Sequence, residues 1–509
     1  MTRINNLDEL DILVDLAFRV AVDVLQKSAE LDRSGHEFKT ISLPAFVDDR
    51  VDYRTVKSGA SVERALDLDG AFTNDNRWGT KYQYSELDGF EALINYVIDH
   101  DDLKRFHSLA GGRDEFMEHV LRVNVGKLPV IAAEKHVFEN GWELNTEALR
   151  EHVLKLAAWW VLDEVPIRLV VPILNISFES DRIELDEKTF IERMDDGLQL
   201  ARASGNPRVS AYKELIPMAT HAIVLEGWTL PNPTALTWLW TPEDSPIEAP
   251  VLDRFFQVLS TFAEEPTGYV QVLYRPVGWS HEFTGPLPEV LPGPFLPHYS
   301  TALKAATEPT KTLSGSEIEL LREGFTSLGQ QENIVSVAAQ RLLDAERRPS
   351  DVDRLLDLCI GIEALVAGNP GDATYKVAIR IAAVLAELGI SNSAEVIEAS
   401  KSLYSLRSAI VHGRKRPAKA VNVTLHGRQV DTIEAARYFL RNLLRARLQW
   451  PELTTDDIDS RIIAGALALW GRRLNRLATR VSKPSKLVPV ITPMGQVTPR
   501  RDRIPCYSK

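Results

Sequence analysis

The stretch Leu403-Tyr-Ser-Leu-Arg-Ser-Ala-Ile-Val-His-Gly413 decides the fold that the sequence predicts for the C-terminal part of the chain. It ends a predicted helix over residues 393–412, and Gly413 is the residue type that most often follows a helix in the left-handed conformation. His412 therefore falls in the last helical turn, where the helix dipole favours a protonated imidazole. Arg407 lies five residues earlier, a step that separates two helical side chains by about 140°.

Arg407 and His412 together carry chemistry that can cleave RNA without a metal. A guanidinium offers a fixed fork of donors for phosphate, and an imidazole gains or loses a proton near neutral pH. The histidine could deprotonate a 2′-OH or protonate the leaving oxygen while the arginine holds the phosphate. Because the two side chains do not share one helix face, Arg407 must bend toward His412, or a second copy of the domain must supply complementary groups.

Further helices are predicted on both sides of this stretch. Ser314 with Glu317 three residues later is typical of a capping box that opens a helix. Helical patterns without long interruptions then cover residues 333–345, 350–366, 374–388 and 432–448. Consecutive helices with short connections favour an antiparallel bundle.

Three of these helical segments closely resemble successive helices of ApeA-like HEPN domains. They are Arg354-Leu-Leu-Asp-Leu-Cys-Ile-Gly-Ile-Glu-Ala-Leu-Val366, Tyr375-Lys-Val-Ala-Ile-Arg-Ile-Ala-Ala-Val-Leu385 and the stretch that ends at Gly413. The resemblance covers residues 314–450 and implies an all-α HEPN bundle that forms a homodimer. It also implies a ribonuclease, a metal-independent RNA-binding hydrolase of the kind associated with antiviral (antiphage) defence, toxin action or stress responses. By motif position, Arg407 would bind phosphate and His412 would be the catalytic residue.

Four other residues are predicted to support this site. Active HEPN ribonucleases often carry Asn, Asp or His directly after the arginine, whereas this chain has Ser408, which can still donate a hydrogen bond. Glu363 and Arg380 either orient His412 and line the cleft or form a partly buried ion pair in the bundle. Tyr404 either stacks on a base or belongs to the core.

The chain of 509 residues exceeds what one hydrophobic core usually supports, so we predict a multidomain α+β protein. Residues 1–125 are predicted to be a mainly helical region and residues 126–305 a mixed α and β domain of unknown role. The HEPN bundle over 314–450 and a helical extension with a basic tail over 451–509 would follow. The Pro- and Gly-rich residues 275–309 are the best candidate for a linker.

Charge and cysteine content narrow the function classes. The net charge of −12 argues against a protein that coats nucleic acid. Residues 471–486 nevertheless contain no acid and the tail adds Arg500, Arg501 and Arg503, so this end either contacts RNA or is simply a solvated basic segment. Two cysteines and the lack of a Gly-rich phosphate loop predict no metal and no cofactor.

The start of the chain lacks the features of a signal peptide, and no run approaches the roughly 20 apolar residues that cross a bilayer. We therefore expect a cytoplasmic protein without a membrane partner. The leading hypothesis is a dimeric HEPN endoribonuclease. The alternative is a non-catalytic HEPN module for dimerisation or for binding a nucleotide or RNA. A third hypothesis, an enzyme in the middle domain, has no nucleophile or paired carboxylates to support it.

Overall fold

The computed structural model describes residues 7–46, 55–73, 81–107, 114–204, 213–233, 250–281, 286–293, 297–303, 309–330, 333–368, 374–390, 392–414 and 421–464. The chain divides into two compact units, Met1–Leu453 and Thr454–Lys509. The fold is mixed α/β, which confirms the predicted class. In the second unit, residues 455–464 are helical. Within the ranges given above, no helix is both long and apolar enough to span a bilayer.

The N-terminal part combines helices with a two-stranded hairpin. Its elements are α1 (Leu7–Arg33), β1 (Lys39–Phe46), β2 (Val56–Asp67), β3 (Phe72–Thr73), β4 (Tyr82–Gln83), α2 (Phe90–Asp99), α3 (Asp101–His107), α4 (Asp114–Asn140) and α5 (Thr146–Val161). The helices agree with the mainly helical region predicted for residues 1–125, whereas the antiparallel β1–β2 pair was not predicted. Helix α4 runs through the predicted domain boundary at residue 125.

The middle of the chain is a six-stranded sheet with the order β12-β11-β5-β9-β8-β7. All of its neighbouring strands are antiparallel. The elements here are β5 (Glu164–Pro172), β6 (Ile176–Phe178), β7 (Arg182–Asp186), β8 (Thr189–Arg193), α6 (Asp196–Ala203), β9 (His221–Pro231), α7 (Pro250–Phe262), β10 (Gly268–Tyr269), β11 (Leu273–Pro276), β12 (Leu291–Pro292), β13 (His298–Tyr299) and β14 (Lys311–Leu313).

One face of this sheet packs against α6. Val170, Phe190, Val224 and Leu273 come from four adjacent strands and share one buried cluster with Leu198 of α6. Alternation along each strand places these side chains on the same face, so the cluster follows from the strand period.

The Pro- and Gly-rich segment predicted to be a linker contributes strands instead. Strand β12 pairs with β11 at the edge of the six-stranded sheet, and β13 pairs with β10. Proline is tolerated at a sheet edge because its missing N–H leaves no ladder bond unmade on the open side. Pro292 can therefore sit in β12, and proline content alone did not identify a linker.

The C-terminal part of the first unit is helical, as predicted. Its elements are α8 (Gly315–Gln330), α9 (Asn333–Arg347), α10 (Asp351–Val366), α11 (Thr374–Glu387), α12 (Ser393–Val411), β15 (Asn422–Leu425), β16 (Arg428–Asp431) and α13 (Thr432–Gln449). The Ser314 N–H donates to the Glu317 carboxylate at the start of α8. The short β15–β16 hairpin was not predicted, and its turn residues His426 and Gly427 both have positive φ, the requirement of a type I′ turn.

Helix α13 is the centre of this part, because it packs against all of the helices from α7 to α12. Buried charges tie it to α9. Glu346 of α9, only 7% exposed, forms ion pairs of 2.9 Å with Arg437 and 3.3 Å with Arg441, both on α13. Helix α7, which the sequence assigned to the middle domain, packs against α8, α9 and α13. The sheet region and the helices are therefore joined through packed side chains.

Candidate functional site

Arg407, one of the two predicted catalytic residues, forms an ion pair with Glu363, one of the predicted supporting residues. Arg407 lies on α12 and Glu363 on α10, with 3.4 Å between Nη2 and Oε2. Their side chains are 36% and 31% exposed, so both reach solvent. The guanidinium therefore stands at the surface with a carboxylate as its partner.

His412 lies at the end of the same helix. Helix α12 ends at Val411, and His412 is its C-cap, with its backbone N–H donating to the carbonyls of Ser408 and Ile410. Gly413 follows with φ of 62°, which is the left-handed residue that the sequence predicted. The imidazole belongs to an exposed residue next to the negative end of the helix dipole. A proton on this ring is thus accessible to a ligand.

Ser408 and Tyr404 lie on the same helix with different surroundings. Ser408 is half-buried. Tyr404 is 8% exposed, which agrees with its interpretation as a core residue rather than a stacking platform. Its hydroxyl makes no hydrogen bond to any residue that the structure describes, and burial raises the pKa of the phenol. Tyr404 therefore stays neutral and does not present its ring face to solvent.

Cys359 of α10 is buried near this group. Burial first, and then the charge of Glu363, raises the pKa of the Cys359 thiol to about 12. A thiol with so high a pKa carries almost no thiolate at neutral pH and is a poor nucleophile. Its full burial makes Cys359 a small core residue.

Arg380 does not have the predicted partner. It is 2% exposed on α11 and donates from Nη1 to the carbonyls of Val366 at 2.6 Å and Ala367 at 2.9 Å. These carbonyls lie at the C-terminal end of α10, which lacks intrahelical donors and carries the negative end of the dipole. The expected ion pair between Glu363 and Arg380 is wrong, since Glu363 pairs with Arg407. Arg380 instead joins α11 to the end of α10.

A separate cleft of about 510 Å³ opens where α7, α8 and α13 meet the segment after α11. We call it the α13 cleft, and the polar residues that define it are Glu264, Glu265, Lys311, Glu317, Glu323, Asn442, Arg445 and Gln449. No sequence pattern pointed to it, because its walls come from segments far apart in the chain. Only the spacing of Asn442 and Arg445 on one helix face could have indicated two neighbouring polar groups.

Some predicted features lie outside the described residues. The basic stretch 471–486 and the tail arginines Arg500, Arg501 and Arg503 belong to these parts. Within the part of the chain that the structure describes, no cluster of three or more His, Cys, Asp or Glu side chains could hold a metal ion.

Comparison with known proteins finds no family model, no curated protein and no solved structure that matches this chain.

Proposed function

We propose that the chain is a metal-independent RNA endonuclease whose helices α8–α13 form a HEPN-type bundle with Arg407 and His412 at its reactive edge. The observation that carries the proposal is the accessibility of both groups on α12. Arg407 is about one-third exposed, at 36%, and His412 is an exposed residue at the helix end. The resemblance of three helical segments to ApeA-like HEPN domains supports the same function, with a role in antiphage defence or stress response.

The chemistry of these groups suits cleavage next to a 2′-OH. His412 would take the proton of the 2′-OH as it attacks the adjacent phosphorus, and the 5′-oxygen would leave with a proton returned by an imidazolium. The products would be a 2′,3′-cyclic phosphate and a 5′-OH. Arg407 would hold the non-bridging oxygens and stabilise the charge that grows on them in the transition state.

Glu363 would serve as the resting partner of Arg407 in this reaction. An exposed ion pair contributes only about 0–1 kcal/mol, so a phosphate can replace a single carboxylate as the partner of a guanidinium. The bidentate geometry that arginine offers to phosphate favours this exchange. Ser408, next to Arg407 in sequence, could donate one further hydrogen bond to the bound phosphate.

A homodimer through the same edge would bring two such sites together. Ile360 lies one turn before Glu363 on α10 and is 39% exposed, and Val411 lies one turn after Arg407 on α12 and is 52% exposed. Apolar side chains on the same helix faces as the charged pair provide surface that a second copy could cover. A five-residue step separates Arg407 and His412 by about 140° around the helix. A second copy would therefore also supply the groups that complement each of them.

The test compares cleavage of labelled single-stranded RNA in EDTA by the wild-type chain and by His412→Ala and Arg407→Ala. The matched control is His426→Asn, which removes an exposed histidine of the same helical part at a positive-φ position that asparagine tolerates. We expect cleavage by the wild type and the control, and a loss of about 100-fold or more in each site variant. Intact RNA with the wild type, or equal cleavage by His412→Ala, would contradict the proposal.

One observation favours a second candidate, a HEPN module that binds RNA or a nucleotide without cleaving it. Glu363 is paired with the guanidinium of Arg407, which a nuclease would need for binding phosphate. Ser408 stands at the position where active HEPN ribonucleases often have Asn, Asp or His. Binding of RNA that Arg407→Ala weakens, with no cleavage by the wild type, would support this candidate.

A further inference from the structure

The α13 cleft is large enough for a small molecule. Its volume of about 510 Å³ lies within the range of about 300–1,000 Å³ that small-molecule sites occupy. It is separate from the Arg407–Glu363 edge, since none of its lining residues belongs to α10 or α12. Its apolar wall consists of Phe262, Leu320, Leu388, Ile390 and Leu448.

The two cations of the cleft are already engaged. Lys311 pairs with Glu317 at 2.8 Å, and this contact also raises the pKa of the lysine. Arg445 donates from Nε to the Thr261 carbonyl at 3.1 Å and from Nη2 to the Phe262 carbonyl at 3.0 Å. Those two carbonyls are the last ones of α7, so Arg445 caps that helix. Neither cation is positioned to select an anionic ligand.

Hydrogen-bond acceptors in the cleft are in excess. Asn442 lines it and is only 2% exposed, and its Nδ2 donates to the Tyr438 carbonyl at 2.8 Å. Its Oδ1 is buried and accepts no hydrogen bond from any described residue. A buried carbonyl without a donor is unfavourable, and a ligand N–H would supply the missing hydrogen bond.

The charge of the cleft points the same way. Its lining contains the carboxylates of Glu264, Glu265, Glu317 and Glu323 but only the two cations described above. Among the residues that the structure describes, the side chains of Glu265 and Glu323 make no hydrogen bond and no ion pair within 4.0 Å, although the charge of Glu265 acts on Lys311. The cleft therefore offers negative charge and an unused acceptor beside an apolar wall.

We infer that the α13 cleft binds a small organic cation, with an apolar body against Phe262 and Leu448 and a protonated amine that donates to Asn442 Oδ1. Glu265 and Glu323 supply the charge that selects the cation over a neutral molecule of the same shape. This inference does not depend on RNA cleavage, so the result of the His412 experiment neither supports nor contradicts it.

The test uses three probes with the same body and different charge: 4-phenylbutylamine, 4-phenylbutanol and 4-phenylbutyrate. Each is titrated into the full chain by isothermal titration calorimetry, with saturation-transfer NMR for weak binding. We expect the amine to bind at least about tenfold more tightly than the alcohol, and the acid to bind more weakly still. Equal binding of amine and alcohol, or no binding of the amine at about 10 mM, would overturn the inference.

Variants locate the probe in the cleft. Asn442→Leu removes the acceptor and keeps a side chain of similar volume. It should weaken binding of the amine about fivefold or more, whereas binding of the alcohol should be retained. Glu323→Gln should weaken the amine about threefold. Glu319→Gln, an exposed glutamate on the same helix that does not line the cleft, is the control and should leave the affinity unchanged. If Asn442→Leu does not fold, Glu323→Gln and Glu265→Gln decide, and unchanged amine affinity in both contradicts the inference.

Discussion

Arg407 on α12 and Glu363 on α10 form an ion pair across 44 residues of sequence, with 3.4 Å between Nη2 and Oε2. Since both side chains are about one-third exposed, the pair contributes only about 0–1 kcal/mol to the free energy of unfolding. Its main effect is on whether the guanidinium is free to bind a ligand. It is the contact that any phosphate at Arg407 must displace.

Replacing Glu363 by glutamine should therefore increase RNA affinity. The neutral amide removes both the competing partner and the repulsion of phosphate, so we expect binding to tighten about threefold to tenfold, with stability changed by less than about 1 kcal/mol. Fluorescence anisotropy with labelled RNA at fixed salt measures the change. Glu398→Gln, a surface acid on α12 paired with Lys401, is the control. Unchanged affinity in Glu363→Gln would separate Arg407 from RNA binding.

Asp357 should be a stability determinant of the helical part. Its side chain is 7% exposed and accepts from Arg341 at 2.9 Å and from Arg348 at 3.0 Å. Asp357→Ala should lower the free energy of unfolding by about 2–3 kcal/mol, because two charge-assisted hydrogen bonds are lost. Urea denaturation measures this, and Asp351→Ala, which removes an exposed carboxylate of the same helix, should cost less than about 1 kcal/mol. Similar losses in the two variants would refute the assignment.

Glu134 should make stability depend on pH. Burial raises the pKa of this carboxyl from 4.5 to about 7, although the Leu68 N–H donates to it. A carboxyl group whose pKa is raised by folding stabilises the folded state fully at pH values below its unfolded pKa. This contribution is lost as the pH rises through the folded pKa of about 7. At 1.36 kcal/mol per pKa unit, the loss approaches about 3 kcal/mol.

The measurement compares urea unfolding of wild type and Glu134→Gln between pH 5 and pH 8.5. Glutamine cannot ionise, so its stability relative to the wild type should increase as the pH rises. The contribution of Glu289, whose pKa burial also raises to about 7, is common to both proteins and cancels in this difference. The exposed Glu143→Gln is the control, and parallel curves for wild type and Glu134→Gln would show that Glu134 is not the titrating group.

Gly268 should tolerate no side chain. Its φ is +148°, and a Cβ there would overlap the Tyr299 Cα and the His298 carbonyl oxygen, both backbone atoms of the paired strand β13. Gly268→Ala should therefore cost about 3 kcal/mol or more. Gly389, with φ of +72° and no neighbouring atom within 4 Å, is the matched glycine, and its alanine variant should cost only about 1 kcal/mol of backbone strain. Equal losses by thermal unfolding would show that crowding at β13 is not the cause.

The helices of the C-terminal part could be predicted because their signals are local. Capping residues, terminal glycines and apolar spacing act within three or four residues, so the pattern around Ser314 and that around His412 and Gly413 were sufficient. The β1–β2 hairpin was missed because Pro44 lies at a register irregularity between the strands, and the polar residues of β2 interrupt any simple alternation. Its pairing depends on contacts with the rest of the fold.

The sequence by itself determined that Arg407 and His412 stand at the end of one helix, since residue spacing and the glycine after the histidine are local properties of the chain. Only the tertiary structure decided that Glu363 pairs with Arg407 while Arg380 binds the carbonyls at the end of α10. It also decided that Asn442 faces a cleft made with α7 and α8. The physical reason is that ion-pair partners and cavities depend on how separate helices pack, and a one-dimensional pattern does not contain that distance.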